Sequence, residues 1–183
     1  MPVLIPREEC MNMVGIMFRI VTLPPEISGK LYLHAMPGRK ADYAADVREI
    51  ADKEIAVVVR LASDRETALK SALYLADIAD GTMPWRELYY PIEDYGIPDD
   101  LASFYDFVNK ISHSLIDGKH MLMHCGAGIG RTGLVACAVL MKLGHSHDEA
   151  AAIVTAAGSG AENTDQRAFL RRISEDPVFL TGS

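Results

Sequence analysis

The chain has 183 residues, the length of one compact domain and too few for two full ones. An apolar share of 49% beside 23% charged residues is enough to fill a core and excludes disorder over most of the length. Eighteen Lys and Arg against 25 Asp and Glu leave a net charge of −7, which repels the phosphates that a nucleic-acid or anionic-membrane binder must attract.

The first dozen residues read as an extension to a single domain over 1–183. Arg7, Glu8 and Glu9 precede the modest apolar run Met13–Phe18, without the order of a signal peptide. No stretch approaches the roughly 18 apolar residues of a membrane span. Ile16–Leu23 and Leu31–Ala35 are β-compatible runs split by Pro24, Pro25 and Gly29, a hairpin-like pair closed by the turn Pro37-Gly38. Ala41–Lys53 reads as helix, and IAVVVRL over Ile55–Leu61 as a central strand buried on both faces. Asp64 is placed to cap a helix running to about Ala79. Leu88–Ile92 reads as a short strand ending in the acidic turn Glu93-Asp94-Tyr95-Gly96-Ile97-Pro98. From Asp99 to Ile116 apolar residues recur at spacings of three and four, one buried helix face. Asp99 or Asp100 caps it. His120–His124 follows as a strand, Leu134–Leu143 as a helix buried all round, and two helices over His147–Ala157 and Thr164–Ser174 finish the chain. This alternation predicts an α/β fold, a central, mostly parallel twisted sheet flanked by helices.

The segment His124-Cys125-Gly126-Ala127-Gly128-Ile129-Gly130-Arg131-Thr132-Gly133 lies between a buried strand and a buried helix, where backbone N–H groups and the helix dipole converge on a point that binds anions. Gly128, Gly130 and Gly133 match a dinucleotide fingerprint, but the region around Glu149–Val154 reads as helix where that fold needs a strand and an acidic residue. Leu134 stands where a nucleotide-triphosphatase loop needs Lys. Burial as a small hydrophobe suits Cys137 but leaves unexplained a cysteine at the mouth of a flexible turn that ends in Arg131. A thiol ringed by N–H groups, beside a helix N-terminus and an arginine, favours its ionised, nucleophilic form. The amides of Gly126, Ala127, Gly128, Ile129, Gly130 and Arg131 then bind phosphoryl oxygens, and the planar Arg131 guanidinium holds two of them. Thr132 is positioned to donate its hydroxyl to the sulfur, and His124 to orient the loop. The three cysteines, Cys10, Cys125 and Cys137, are too few for a disulfide scaffold and suit a reducing, cytoplasmic setting in which such a thiol stays free.

H-C-x-x-x-x-x-R-[ST] is the signature of the cysteine-dependent protein tyrosine phosphatase superfamily, which His124 to Thr132 resembles in full. The resemblance implies that fold, a phosphocysteine intermediate on Cys125, a phosphoprotein or phosphopeptide substrate, and no cofactor or metal. Phosphotyrosine is implied first, with phosphoserine and phosphothreonine open; the same chemistry on a soluble inositol phosphate or nucleotide is the alternative, and an inactive phosphate-reading scaffold a further one. The implied mechanism needs a carboxylic acid, and Asp94 looks like the acid-loop residue of compact dual-specificity members. Leu31–Arg39, the acidic turn, and Gly158–Ala161 with Gln166 and Phe169-Leu170 resemble the cyclin-dependent-kinase-associated branch, over about Leu31 to Leu170. There, glutamines after the last glycine-rich turn place the hydrolytic water. Gln166 fits one and Asn163 occupies the other position, so either or both are candidates. Ala127, Gly128 and Ile129 bring no Lys or Arg, unlike phosphoinositide-directed relatives. Ser146 to Glu149 reads as a helix cap rather than part of a His145/His147 metal site, and Arg171-Arg172 as a solvated helix face.

Overall fold

The computed structural model describes residues 18–181. The expected N-terminal extension, Cys10 and the start of the first apolar run lie outside the described residues. Five strands, β1 (Arg19–Val21), β2 (Lys30–His34), β3 (Ile55–Arg60), β4 (Arg86–Tyr89) and β5 (His120–His124), form one sheet in the order β1-β2-β5-β3-β4. β1 is the antiparallel edge, paired through Arg19 with Leu33, and the other pairings are parallel. The helices are α1 (Tyr43–Asp52), α2 (Asp64–Lys70), α3 (Ala72–Asp80), α4 (Leu101–Ile116), α5 (Gly130–Lys142), α6 (His147–Ala156), α7 (Thr164–Ser174) and α8 (Pro177–Thr181). None of them is long and apolar enough to cross a membrane.

Strand side chains alternate between faces, and both faces of this sheet are covered, so the interior strands read as continuous apolar runs. Leu31, Leu33, Val57, Val59, Met121 and Met123 point into one core, shared with α4, α5 and α7. Tyr32, Val58 and Leu122 point into the other, against Ile50 of α1 and Tyr74 of α3. α5 is buried at every position from Gly130 to Met141, so it runs through the larger core.

Register places the site. His34 and Arg60 both align with His124 at the carboxyl end of β5. Three parallel strands therefore end at one level, and the loops that follow them meet at one rim, where open α/β sheets bind ligands.

Several expectations are corrected. Pro37-Gly38 does not join β1 to β2; it turns the chain from β2 towards α1, with Arg39 N–H donating to the Met36 carbonyl at 3.0 Å. β3 is an interior strand as expected, between β5 and β4. Ser63, not Asp64, caps α2 by accepting from the Glu66 N–H, and an extended kink at Ser71 (φ −158°) divides the single helix expected there into α2 and α3. β4 begins earlier and stops at Tyr89, just before Pro91, which lacks a ladder donor. α5 begins at Gly130, a turn before the apolar run, and α8 carries no periodicity that foretells it.

Candidate active site

The loop from Cys125 to Ile129 leaves β5 and enters α5 with backbone geometry that only glycine meets. Gly128 has φ +74°, and a Cβ there would stand 2.1 Å from the His34 carbonyl oxygen. The Gly128 N–H donates to Cys125 Sγ at 3.2 Å, so the sulfur sits inside the loop. The expected hydroxyl contact from Thr132 is not made: its Oγ1 is buried without a hydrogen-bond partner.

Arg131 projects from the first turn of α5 and is 2% exposed. Its Nη1 donates to Glu66 Oε2 at 2.6 Å and to the Ile92 carbonyl at 3.0 Å, and its Nη2 donates to Glu66 Oε1 at 2.8 Å and Asp94 Oδ1 at 2.9 Å. Of five N–H donors, four are engaged and Nε remains. Glu66 is aimed by the Ser63 cap and by the ion pair of Arg60 with Asp64 at the start of α2. Burial alone would raise the Glu66 carboxyl, but hydrogen bonds from Arg131 and Lys70 outweigh it and bring the pKa down to about 2. Burial would lower the Arg131 guanidinium, yet Glu66 and the Cys125 sulfur raise it above its ordinary value.

His124 is fully buried. Tyr74 OH lies 3.0 Å from its Nε2 and the Cys125 carbonyl 3.1 Å from its Nδ1. Burial drives its pKa down to about 3, which keeps the ring neutral near pH 7. Cys137, within the buried α5, is pushed up to about 12 by burial.

Asp94 is 58% exposed at the rim, and Asp100 caps α4 by accepting from the Ser103 N–H at 2.8 Å. Asp99 makes no cap, and Glu93 is exposed. The turn carrying Asp94 is tied to the start of α7. Asn163 Nδ2 donates to the Tyr95 carbonyl at 2.6 Å, and its Oδ1 caps the helix by accepting from the Gln166 N–H. Gln166 is 0% exposed; its Nε2 donates to the Gly96 carbonyl at 3.1 Å and its Oε1 accepts from the Glu162 N–H at 2.8 Å. Away from the site, Ser146 and Glu149 form a reciprocal cap at α6.

Glu66, Tyr74 and Arg19 carry no motif in the sequence, and Ser159 stands only within the Gly158–Ala161 turn. Glu66 and Lys70, four apart on a helix, carry the pattern of an ordinary solvent-exposed pair. The loop lacks a cation between Gly126 and Gly130, but Lys70 and Arg39 close on it from outside: Lys70 Nζ and an Arg39 Nη1 would lie 2.7 and 3.0 Å from a Cβ on Gly126. A cleft of about 280 Å³ opens between α2 and the turn of Asp94, lined by Arg65, Glu66, Lys70 and Asp94.

Residues 34–145, more than half of the chain, match the family described as polymorphic toxin system, DSP-PTPase phosphatase. The chain belongs to that phosphatase family. Mouse tyrosine-protein phosphatase non-receptor type 2 is 33% identical over 113 residues, 56% of this chain and 28% of that protein. Rat cyclin-dependent kinase inhibitor 3 is 34% identical over 79 residues, 42% of this chain and 37% of that protein. The matched segment thus spans well under half of these relatives. A crystal structure of kinase-associated phosphatase, with its catalytic-site cysteine replaced by serine, superposes with a TM-score of 0.77 at 21% identity, covering 91% of this chain and 97% of that one. Tk-PTP in its active form gives 0.61 at 26% identity, covering 82% and 97%. The fold is therefore that of the tyrosine and dual-specificity phosphatases, as the loop signature implied.

Proposed function

We propose that the domain hydrolyses phosphate monoesters on protein side chains, phosphotyrosine first, through a phosphocysteine on Cys125. The observation that carries this is the seat itself: Sγ held inside a glycine loop at the N-terminus of α5, with Arg131 fixed beside it by Glu66. Amides of residues 126–131 and the Arg131 guanidinium bind the phosphoryl oxygens and follow their charge into the transition state.

In the first half-reaction the Cys125 thiolate attacks phosphorus and the P–O bond to the leaving oxygen breaks. Asp94 protonates that oxygen as it departs with the electron pair. In the second, water attacks phosphorus, Asp94 takes its proton, and the P–S bond breaks to return thiolate and release phosphate. To Gln166 and Asn163, whose amides tie the Asp94 turn to the start of α7, we assign the holding of that water. The free state has Asp94 resting on Arg131 Nη2. A phosphate that takes Nε and Nη2 together displaces the carboxylate from Arg131 and leaves it beside the leaving oxygen.

Two unpaired cysteines among the described residues accord with a reducing compartment, and we place the domain in the cytoplasm. The test is hydrolysis of a small aryl phosphate and a phosphotyrosine peptide in chelating buffer. Both are turned over by the native chain and neither by Cys125→Ser; activity that survives Cys125→Ser overturns the assignment.

A further inference from the structure

Each carbonyl of the loop that has a partner is turned away from the seat by a different device. The Gly126 carbonyl accepts from the Met36 N–H at 3.1 Å, and the Ile129 carbonyl from the Gly133 N–H at 2.7 Å, the first bond of α5. The Gly128 carbonyl instead accepts from two side chains of distant elements, Arg19 Nη2 at 2.6 Å and Ser159 Oγ at 2.6 Å. Arg19, on the edge strand β1, also donates through Nη1 to Gly158 O at 2.5 Å and Ala157 O at 3.1 Å, the carbonyl end of α6. One guanidinium therefore fastens the loop to the end of a rigid helix.

A trans peptide points its C=O and N–H in opposite directions. Wherever the Gly128 carbonyl is held outward, the Ile129 N–H is held inward. The residue on the upstream side is a glycine in the left-handed region, φ +74°, so no Cβ fixes the orientation of this peptide. Rotated, it would aim a carbonyl dipole at the bound phosphate and withdraw one donor.

Resting on the phosphatase reading above, we propose that Arg19 and Ser159 are positioning residues that lock the Gly128–Ile129 peptide with its N–H facing the oxyanion seat. Neither touches substrate. Arg19 also places its charge near the Cys125 sulfur, and the two interact, although burial of the guanidinium opposes that charge more strongly.

The probe is tungstate, an unreactive tetrahedral oxyanion, titrated calorimetrically into the native chain, Arg19→Met, Arg19→Lys and Ser159→Ala, with melting temperature measured in parallel. Loss of one seat donor predicts about tenfold weaker tungstate binding for Arg19→Met and about threefold or more for Ser159→Ala, with KM rising more than kcat falls. Arg19→Lys, which keeps the charge but cannot reach the Gly128 carbonyl and the end of α6 together, recovers part of the loss. If Arg19→Met fails to fold, Ser159→Ala decides, because it leaves the Arg19 bonds to α6 in place. Variants that bind tungstate within about twofold of the native chain, whatever their melting temperature, reduce Arg19 and Ser159 to structural staples and overturn the proposal. A native chain that binds no oxyanion overturns the reading of the seat, and the lock with it.

Discussion

Replacing Glu66 by Gln tests what holds Arg131 in place. The carboxylate makes two charge-assisted bonds, at 2.6 and 2.8 Å, to a guanidinium that is 2% exposed, and takes a third from Lys70 at 2.6 Å. An amide keeps one acceptor and turns an NH2 group towards the arginine. One charge-assisted bond, worth about 1.5–3 kcal/mol, is lost, and another keeps only the charge of its donor and weakens by about 1 kcal/mol. Arg131 retains the Ile92 carbonyl and Asp94, and water reaches the partly exposed Glu66, so a net cost of about 2 kcal/mol is expected. For a domain of this size that lowers Tm by about 4–8 °C. With the guanidinium less well aimed at phosphate, kcat/KM on an aryl phosphate falls about tenfold. The sign with pH follows from a carboxyl lowered to about 2 in the folded state: its contribution is complete above the unfolded value near 4.5 and disappears as pH falls towards 2. The gap in Tm between the native chain and Glu66→Gln is therefore widest at pH 6–7 and narrows in acid. The assays are thermal melts at pH 7 and pH 3 and steady-state kinetics at pH 6. A Tm within about 1 °C of native at pH 7, or a kcat/KM that is unchanged or raised, would refute the reasoning.

Asp94→Asn is expected to lower kcat about 10²-fold or more on a phosphotyrosine peptide and much less on an aryl phosphate with a good leaving group, while Asp99→Asn stays within twofold; equal losses at the two positions would remove Asp94 as the acid. Gln166→Ala breaks two buried bonds, to Glu162 and Gly96, and should cost about 1–3 kcal/mol in denaturant unfolding while slowing phosphocysteine breakdown more than its formation; a burst phase that grows relative to steady turnover reports this. Gly128→Ala forces a Cβ to 2.1 Å from the His34 carbonyl at a positive φ, so the loop must shift; tungstate binding at least tenfold weaker is expected, and unchanged binding would show that the seat tolerates another backbone path.

Local chemistry was legible in the sequence and long-range partnership was not. Cys125, the glycines and Arg131 lie within one short segment, where spacing alone specifies a ring of amides before a helix. The buried strands announced themselves because a sheet covered on both faces needs continuous apolar runs, as in β3. Glu66 was invisible because its i,i+4 relation to Lys70 reads as a surface pair, and only the packing of α2 against the loop turns that carboxylate towards Arg131. Arg19 on an edge strand and Ser159 in a glycine-rich turn gave no periodic signal either, since their shared target is a carbonyl more than a hundred residues from one of them. The apolar pattern places the start of α5 a turn late because Gly130 and Gly133 are poor helix formers. Position 133 must nevertheless be glycine, for a Cβ there would stand 2.3 Å from the Gly160 nitrogen. Ser71 split an apparently continuous helix for a tertiary reason, since α3 is turned to bury Tyr74 against His124.

The whole mechanism turns on a covalent intermediate at Cys125. Rapid acid quench of the native chain turning over a phosphotyrosine peptide, followed by mass spectrometry of the Cys125 peptide, measures it directly. A phosphoryl adduct on Cys125 that forms and decays at rates consistent with turnover, and is absent in Cys125→Ser, is the predicted result. Turnover with no phosphoryl group on Cys125 at any time, accompanied by activity in Cys125→Ser, would contradict it.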